Sequence, residues 1–491
     1  AIAEETKTVE SRRDLSISYG KFGDIYKAEG KLEEAKKMYM QCFEISKALA
    51  EETKSVELRR GLAISHNRLG NIYEAEGKLE KAKKMYLQAF EIDKAIAEEA
   101  KTIESRKNLS VSYGKLGDIY ESEGSLGKAK EMYLQSLEIR KALAEETKMI
   151  EARRNLSVSY EKLGDIYEIE GKIQKAKGMY LKGLEISKAI AEETKTIESC
   201  RDLSISYNKL GDICTAEGEL EEAEKMYLKG LEISKAIAEE MKTVKTHRNL
   251  MVSYERLGNI YKTKGKLKKA KETYLQAFEI MKVLAEETKT VESRRDLSIS
   301  YNNLGDIYKL EGKLEKAKEM YLQGLENFKV LAEETKTLES RRDLAISYGR
   351  LGDIYKTEGK LEEAKEMYLQ VLEISKALAE EMKTVESRRD LYVSYSNLGS
   401  IYIAGGGLEK AKEMYLQAFE ISKALAEKTE TVQSYDDLAI SHYNLALISE
   451  EKKTHLQAAY DIWSALAAQC PNVAEYAQRR DIIKSELDSL N

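Results

Sequence analysis

Basic side chains return along this chain at intervals of 47 residues, and their chemistry suits the recognition of carboxylates and amides. A guanidinium donates two parallel hydrogen bonds to a carboxylate, which makes arginine selective for acidic groups. One basic row includes Arg154, Arg201, Arg248, Arg295 and Arg342, and a second includes Lys162, Lys209, Arg256 and Arg350. A row of carboxylates and amides, Asp212, Asn259, Asp306 and Asp353, follows the second basic row by three residues. These rows predict a polar surface that grips an acidic or amide-rich segment.

The same charges have a structural interpretation, in which they pair with one another. Arg13, for instance, belongs to the first basic row and has Glu10 and Asp14 beside it in sequence. Exposed pairs of this kind contribute only about 0–1 kcal/mol each. Both interpretations remain open at the level of the sequence.

Nothing in the chain is typical of a catalytic or metal site. The four histidines, His66, His247, His442 and His455, have no ligand spacing. The triple glycine at 405–407 lacks the Lys-Ser/Thr that a phosphate-binding loop requires. No pair of carboxylates stands out as an acid/base couple, and no nucleophile lies in a distinctive context. We therefore expect no enzymatic activity and no cofactor.

Charge and composition exclude several classes of partner. The chain of 491 residues carries 80 basic and 86 acidic side chains, so there is no positive excess to attract nucleic acid or an anionic membrane. No apolar run approaches the roughly 20 residues that span a bilayer. The four cysteines are scattered without metal or disulfide spacing, which is typical of reduced thiols in the cytoplasm.

The elements that must position the polar rows are pairs of helices. The motif Ala-(Ile/Leu)-Ala-Glu-Glu begins at residues 1, 48, 95, 142, 189 and 236, with variants every 47 residues thereafter. Leu15, Tyr19 and Tyr26 recur at helical spacing before Gly30, and a second such pattern follows it. A glycine at this place predicts the left-handed turn that ends a helix, and Thr8 is a suitable N-cap.

A glycine in the middle of each first helix predicts a close helix contact. Gly23 recurs in the next eight repeats, although glycine costs about 1 kcal/mol relative to alanine inside a helix. We expect the small Ala35 of the second helix to be its partner.

These features together resemble the tetratricopeptide repeat. Tyr19, Phe22-Gly23 and Tyr26, followed by Gly30, Ala35 and Tyr39, match its usual order of aromatic and small residues. The repeat is 47 residues long instead of 34, and Lys47 replaces the usual helix-ending proline, as in the tall repeats of the kinesin light chain type. The resemblance implies an all-α, right-handed superhelical solenoid of antiparallel helix pairs. It also implies that the first helices line a concave groove that binds another protein or a peptide.

Two pairs of residues that contain asparagine strengthen the expectation of a peptide groove. Asn208 with Lys209, and Asn302 with Asn303, resemble the pairs with which related repeats hold a peptide backbone. Their position varies in chemistry from repeat to repeat, as expected where binding is tuned on a constant scaffold.

We divide the chain into three parts. Residues 1–10 are predicted to be the tail of a preceding, truncated repeat, because the chain opens on Ala1 inside the repeat motif. Residues 11–450 form nine full repeats and the start of a tenth. Residues 451–491 contain a degenerate last helix and a C-terminal capping helix.

The leading functional hypothesis is a recognition (sensor) or scaffold region of a larger cytoplasmic, bacterial signalling or defence protein. The resemblance implies an effector domain N-terminal to the repeats. The alternative hypothesis is a structural scaffold that self-associates as a homo-oligomer and so brings attached effector domains together.

Overall fold

In the computed structural model, which describes residues 8–471 and 473–490, every regular element of the described chain is an α-helix. The predicted tail of a truncated repeat lies largely outside the described residues. Consecutive helices pack as antiparallel pairs, which we number as repeats 1 to 10. The prediction of an all-α solenoid of helix pairs is confirmed.

The helices of repeats 1 to 5 are α1 Val9–Ala28, α2 Leu32–Thr53, α3 Val56–Ala75, α4 Leu79–Ala100, α5 Ile103–Ser122, α6 Leu126–Thr147, α7 Ile150–Ile169, α8 Ile173–Thr194, α9 Ile197–Ala216 and α10 Leu220–Met241. Those of repeats 6 to 10 and the last helix are α11 Val244–Thr263, α12 Leu267–Thr288, α13 Val291–Leu310, α14 Leu314–Thr335, α15 Leu338–Thr357, α16 Leu361–Met382, α17 Val385–Ala404, α18 Leu408–Thr429, α19 Val432–Ala446, α20 Lys452–Gln469 and α21 Ala474–Asp488.

The ends of the helices follow local backbone chemistry. Thr8 caps α1, since its hydroxyl accepts a hydrogen bond of 3.1 Å from the backbone N–H of Ser11. Gly30, with φ of 75°, supplies the left-handed turn between α1 and α2. The second helix ends at a left-handed lysine, Lys54, whose charge suits the negative end of the helix dipole. These three signals recur through most of the array and set the 47-residue period.

The helices of a pair meet through a glycine and a tyrosine. A Cβ atom on Gly23 would lie 2.4 Å from Cε1 of Tyr39, so only glycine leaves room for this ring. The group nearest to Gly23 is therefore the ring of Tyr39, and the predicted contact with Ala35 stays a prediction. Ala35 is fully buried and packs in a cluster with Leu69 and Ile72 of the next repeat. Close packing on the tyrosine ring offsets the helix penalty of each glycine.

The chain divides into two compact units. The first unit, Ala1–Ser159 with Glu381–Thr384, contains α1 to α6 and the beginning of α7. Its core is a series of small clusters at the junctions of successive repeats. One of them combines Ala82 and Tyr86 of α4 with Leu116 and Ile119 of α5. Each repeat thus completes its core only with its neighbour, as expected of a solenoid.

The second unit, Tyr160–Glu380 with Val385–Asn491, is built in the same way and ends in a cap. The C-terminal cluster joins Trp463 and Leu466 of α20 to Ile483 and Leu487 of α21. Trp463 also donates a hydrogen bond of 2.8 Å to Asp436 in α19. The predicted C-terminal capping helix is present. None of the helices in the described residues combines the length and the apolarity needed to cross a membrane.

Candidate partner-binding surface

A three-residue chain of hydrogen bonds links successive repeats along the first helices. The Tyr180 hydroxyl of α8 donates to Asp165 of α7 at 2.6 Å, and Lys209 of α9 donates to the same carboxylate at 2.7 Å. Burial and the adjacent carboxylate raise the pKa of Tyr180, so the phenol stays a donor. The same order of groups occurs in Tyr227–Asp212–Arg256 and Tyr321–Asp306–Arg350, while Tyr274 donates to Asn259 and Tyr368 to Asp353. The second basic row and the acidic row are thus engaged with each other.

The first basic row forms a second set of links between repeats. Arg295 contacts Glu339 at 2.9 Å, and its Nη2 lies 3.1 Å from Oδ1 of Asp343. Arg248 donates to Asp296 at 2.5 Å in the same manner. Further links of this row are Arg342 with Glu386 and Asp390, and Arg389 with Asp437. The pairing interpretation therefore accounts for most of these charges, and the acids come from the following repeat, 44 or 48 residues on.

Arg201 differs from these residues. Its ion contact is with Asp202 on its own helix, at 3.5 Å, and 30% of its side chain is exposed. In the remaining members of the predicted set, Arg154 and Lys162, the side chains are half-buried on α7. Among the arginines of this row that are described in the second unit, Arg201 is thus the one whose ion contact is with its own helix and not with an acid of the next repeat.

The predicted asparagines are directed toward the scaffold. Asn208 and Asn302 are 7% and 4% exposed. A Cβ atom on Gly230 would lie 2.6 Å from Oδ1 of Asn208, so the amide occupies space that a glycine of the second helix leaves free. Asn302 packs against Gly324 in the same way. The residue type at the position of Asn208 and Asn302 varies between repeats because it must match the second helix in size. A large side chain occurs on the first helix where the facing residue of the second helix is small.

Asn303 takes part in a buried polar contact. Its side-chain amide donates to Glu255 at 2.5 Å. Burial, followed by the nearby Asp296 carboxylate, raises the pKa of Glu255 to about 7. This carboxyl group therefore titrates near neutral pH.

An aliphatic row lies between the two basic rows on the first helices, where a search for polar groups misses it. The same position is isoleucine or valine in all ten repeats, which is the signal that identifies it. Many of its side chains are well exposed although they are apolar: Ile17 46%, Ile64 46%, Val111 40%, Val158 42%, Ile205 44%, Ile346 46% and Val393 39%. We call these residues the aliphatic row. Exposed apolar side chains that repeat at a fixed position are candidates for a contact surface.

In the first unit two members of the aliphatic row line a cavity. The cavity has a volume of about 280 Å³ and includes Ile17 and Ile64, with Arg13, Arg60 and Arg68 also in its wall. Gly61 opens it, since the other repeats have aspartate or asparagine at that position. Apolar walls with a few directed polar groups are typical of sites that receive a side chain of a partner.

Two family models, each of the tetratricopeptide repeat, match the chain over these same helix pairs. One matches residues 61–142 and 202–282, and the other matches residues 17–49, 158–190, 299–327, 345–378 and 392–425. Between them they cover more than half of the chain. The chain belongs to the tetratricopeptide repeat family. No curated protein is significantly similar to it.

Three solved structures are similar to this tetratricopeptide repeat protein to different degrees. The apo form of RapI is similar with a TM-score of 0.50 and 15% identity, over 84% of this chain and 99% of RapI. BtubC (BKLC) from P. vanneervenii is 24% identical, with a TM-score of 0.41, over 52% of this chain and 92% of BtubC. The kinesin light chain nearly identical TPR-like repeats of Podosopora anserina are 22% identical, with a TM-score of 0.34, over 46% of this chain and 96% of that one.

Proposed function

We propose that this tetratricopeptide repeat protein binds a protein or peptide partner along the first-helix face, with the aliphatic row as the contact surface. The observation that carries the proposal is the exposure of the same apolar position in several repeats, between rows of charges that are mostly paired. Ile205 and Ile346 are 44% and 46% exposed. A partner that covers them removes apolar area from water, which is favourable by about 25 cal/mol per Å².

The polar rows have a different role in this proposal. Their charges hold the repeats in register and keep the partner-binding face hydrated until a partner arrives. Because most of the ion pairs are already formed, these charges add specificity more than affinity. The predicted residues Arg256, Arg295, Arg342 and Arg350 are proposed to form the rim of the groove, and Arg201 its available cation.

Paired variants in the second unit test the proposal. Peptides are first selected from a random display library on the wild-type chain. Ile205→Asp combined with Ile346→Asp should weaken the selected peptides by at least about tenfold, because a carboxylate cannot be buried against an apolar side chain without loss. The matched control is Leu228→Asp combined with Leu369→Asp, which alters two second-helix residues of similar exposure, 42% and 39%. Circular dichroism checks that both variants remain helical.

The outcome of this experiment decides between the two faces. If the control variant loses the peptides and the first-helix variant keeps them, the assignment of the binding face is overturned. Unchanged affinity in both variants overturns the role of apolar contact altogether.

A second candidate function is self-association, and one observation favours it. A further apolar position is exposed on the second helices, with Leu134 at 41%, Leu181 at 42% and Leu416 at 43%. A homo-oligomer that buries this row would act as a scaffold for attached domains. Light scattering over a range of concentrations tests it: a constant monomer mass contradicts the scaffold, and a rise that Leu228→Asp abolishes supports it.

The wider setting is also a proposal. We infer a sensor or scaffold role in a cytoplasmic signalling or defence protein, on the basis of the resemblance to tall tetratricopeptide repeats. The four cysteines support a reducing compartment, since all are free and three are buried.

A further inference from the structure

The junction between repeats 5 and 6 departs from the charge pattern of the other junctions. In repeat 7, Arg295 reaches Glu339 and Asp343 of repeat 8. The residues of repeat 6 at the two corresponding positions after Arg201 are Lys245 and Asn249. Both acids are thus replaced, and one of them by a residue of opposite charge.

Lys245 also lies where a cation is unfavourable. It occupies the first turn of α11, where the positive end of the helix dipole repels it. Eight of the other nine first helices have glutamate there, including Glu198, Glu292 and Glu339. Helix α11 carries four basic side chains and one acidic side chain, and none of the other first helices has a basic excess above one. In the described residues Lys245 is exposed and forms no ion pair.

At the same junction a second ion pair keeps its attraction because both of its charges are reversed. At other junctions a lysine of the second helix pairs with a glutamate of the next repeat, as in Lys177–Glu217 and Lys271–Glu311. Between repeats 5 and 6 both charges are reversed, and Glu224 pairs with Lys264 at 2.7 Å. A charge that only joins repeats is therefore exchanged together with its partner. Arg201 and Lys245 have no such exchange.

We infer that Arg201 and Lys245 form a site for a carboxylate of the partner, next to Ile205 of the aliphatic row. The partner is an acidic segment in which glutamate or aspartate lies near a branched apolar side chain. A bound carboxylate supplies the negative charge that glutamate supplies elsewhere, and the dipole of α11 favours it. This inference rests on the proposed function and names the chemistry of the partner at one place on its surface.

The spacing of the site sets the pattern of the segment. Arg201 and Ile205 are four residues apart on one face of the helix, about 6 Å along the axis. Residues two apart in an extended segment are separated by about 6.8 Å and point to the same side. An acidic residue followed two positions later by leucine therefore meets Arg201 and Ile205 together.

Peptide binding to the full chain tests the inference. The probe is a fluorescent peptide of repeated Glu-Ser-Leu-Ser, and its control is the same peptide with glutamine in place of glutamate. Lys245→Glu should weaken the glutamate peptide by about tenfold, the range expected for a charged hydrogen bond, and leave the glutamine peptide unchanged. Lys282→Glu, on the exposed face of α12, controls for the change in net charge. If Lys245→Glu leaves the preference for glutamate intact, the site is overturned.

A gain of binding provides a second test. Glu339→Lys combined with Asp343→Asn gives Arg295 the surroundings of Arg201, and two glutamate peptides should then bind per chain. If no second peptide binds, the missing acids do not create the site and the inference fails. A single-stranded oligonucleotide that binds the wild type more tightly than the peptide, and is lost in Lys245→Glu, would assign the patch to nucleic acid and overturn it as well.

Failure here can be separated from failure of the proposed function. In one outcome, Lys245→Glu loses the preference for glutamate while the Ile205→Asp and Ile346→Asp variant still binds the selected peptides in full. These two results together would uphold the carboxylate site and overturn the aliphatic row. The opposite pair of results would uphold the row and overturn the site.

Discussion

The junction between repeats 7 and 8 and the junction between repeats 5 and 6 have the same core. They differ in the charge that the second repeat places beside the arginine of the first. In the repeats that open them, a glycine of the first helix packs on a tyrosine, Gly305 on Tyr321 and Gly211 on Tyr227. At the first junction Arg295 is held by two acids of the next repeat, while at the second the position that corresponds to Glu339 is Lys245. Packing is thus constant between the two, while the polar links vary. Each ion pair can therefore be compared with the pair at the same position of the other junctions.

Charged side chains at these junctions have two uses. A link that joins repeats keeps its function when both partners change, as in Glu224–Lys264. A cation whose partners are lost without replacement remains available for a ligand. Substitutions along the second unit test this distinction, from the largest expected effect to the smallest.

The largest effect is expected for the glycine of the core. Gly305→Val should destabilise the array by about 3 kcal/mol, because a Cβ atom at this position would lie 2.4 Å from the fully buried ring of Tyr321. Gly211→Val should cost a similar amount. Urea unfolding monitored by circular dichroism measures both. A large difference between the two variants would contradict the view that the junctions share one core.

The reversed ion pair should behave as a unit. Glu224→Lys should destabilise the junction between repeats 5 and 6, since it places a second cation beside Lys264 and leaves Glu221 as the acidic partner of Lys264. Adding Lys264→Glu should recover most of the loss, because the usual Lys–Glu order is then restored. Hydrogen exchange at α10 and α11 measures the coupling. Additive losses in the double variant would show that the two charges do not stabilise each other.

The arginine row should show the contrast directly. Arg295→Gln should cost about 1.5 kcal/mol, because Asp343 keeps only 11% of its side chain exposed and loses its charged partner. Arg201→Gln should change stability by less than about 0.5 kcal/mol, as for surface positions without such a partner. Equal losses at the two positions, measured by hydrogen exchange of the helices on each side, would remove the basis for treating Arg201 as an available cation.

The pH dependence of stability should reveal Glu255. Its pKa of about 7 in the folded chain is above the ordinary value for glutamate in an unfolded chain, about 4.3. The unfolded state therefore ionises first, and wild-type stability is lost as the pH rises from about 4.3 to 7. Glu255→Gln keeps the acceptor for Asn303 and removes this titration, so relative to the wild type it should gain about 3 kcal/mol of stability between pH 4 and pH 8. Thermal melts at several pH values measure this.

An exposed glutamate provides the control for that experiment. Glu232→Gln removes one negative charge from the surface of α10 and should leave the pH profile of the melting temperature unchanged. If Glu255→Gln and the wild type show parallel profiles, the raised pKa is contradicted.

The helix pairs were predictable because their signals are local. The cap at Thr8, the left-handed Gly30 and the missing proline at Lys47 each act on the backbone within a few residues. They place α1 at Val9–Ala28 and let α2 run to Thr53. Periodicity within one repeat also identified which side chains are apolar and inward.

The partners of the polar rows were not predictable in the same way. Arg295 has Glu292 three residues before it on its own helix, yet its acidic partners Glu339 and Asp343 lie 44 and 48 residues away. Helical spacing says which residues share a face of one helix, but it does not say how far one helix is shifted along the next. The contact of Gly23 with Tyr39 was missed for the same reason.

The sequence alone determined the repeat, the two helices of each unit, the recurrence of the aliphatic position and the order of the charges, since all of these depend on interactions within about one helical turn or on exact recurrence. The tertiary structure alone decided which charges pair, that Asn208 and Asn302 are buried, and that Arg201 lacks an acid from the next repeat. These depend on the register between neighbouring helices, which is fixed by close packing of the whole array and not by any short stretch of the chain.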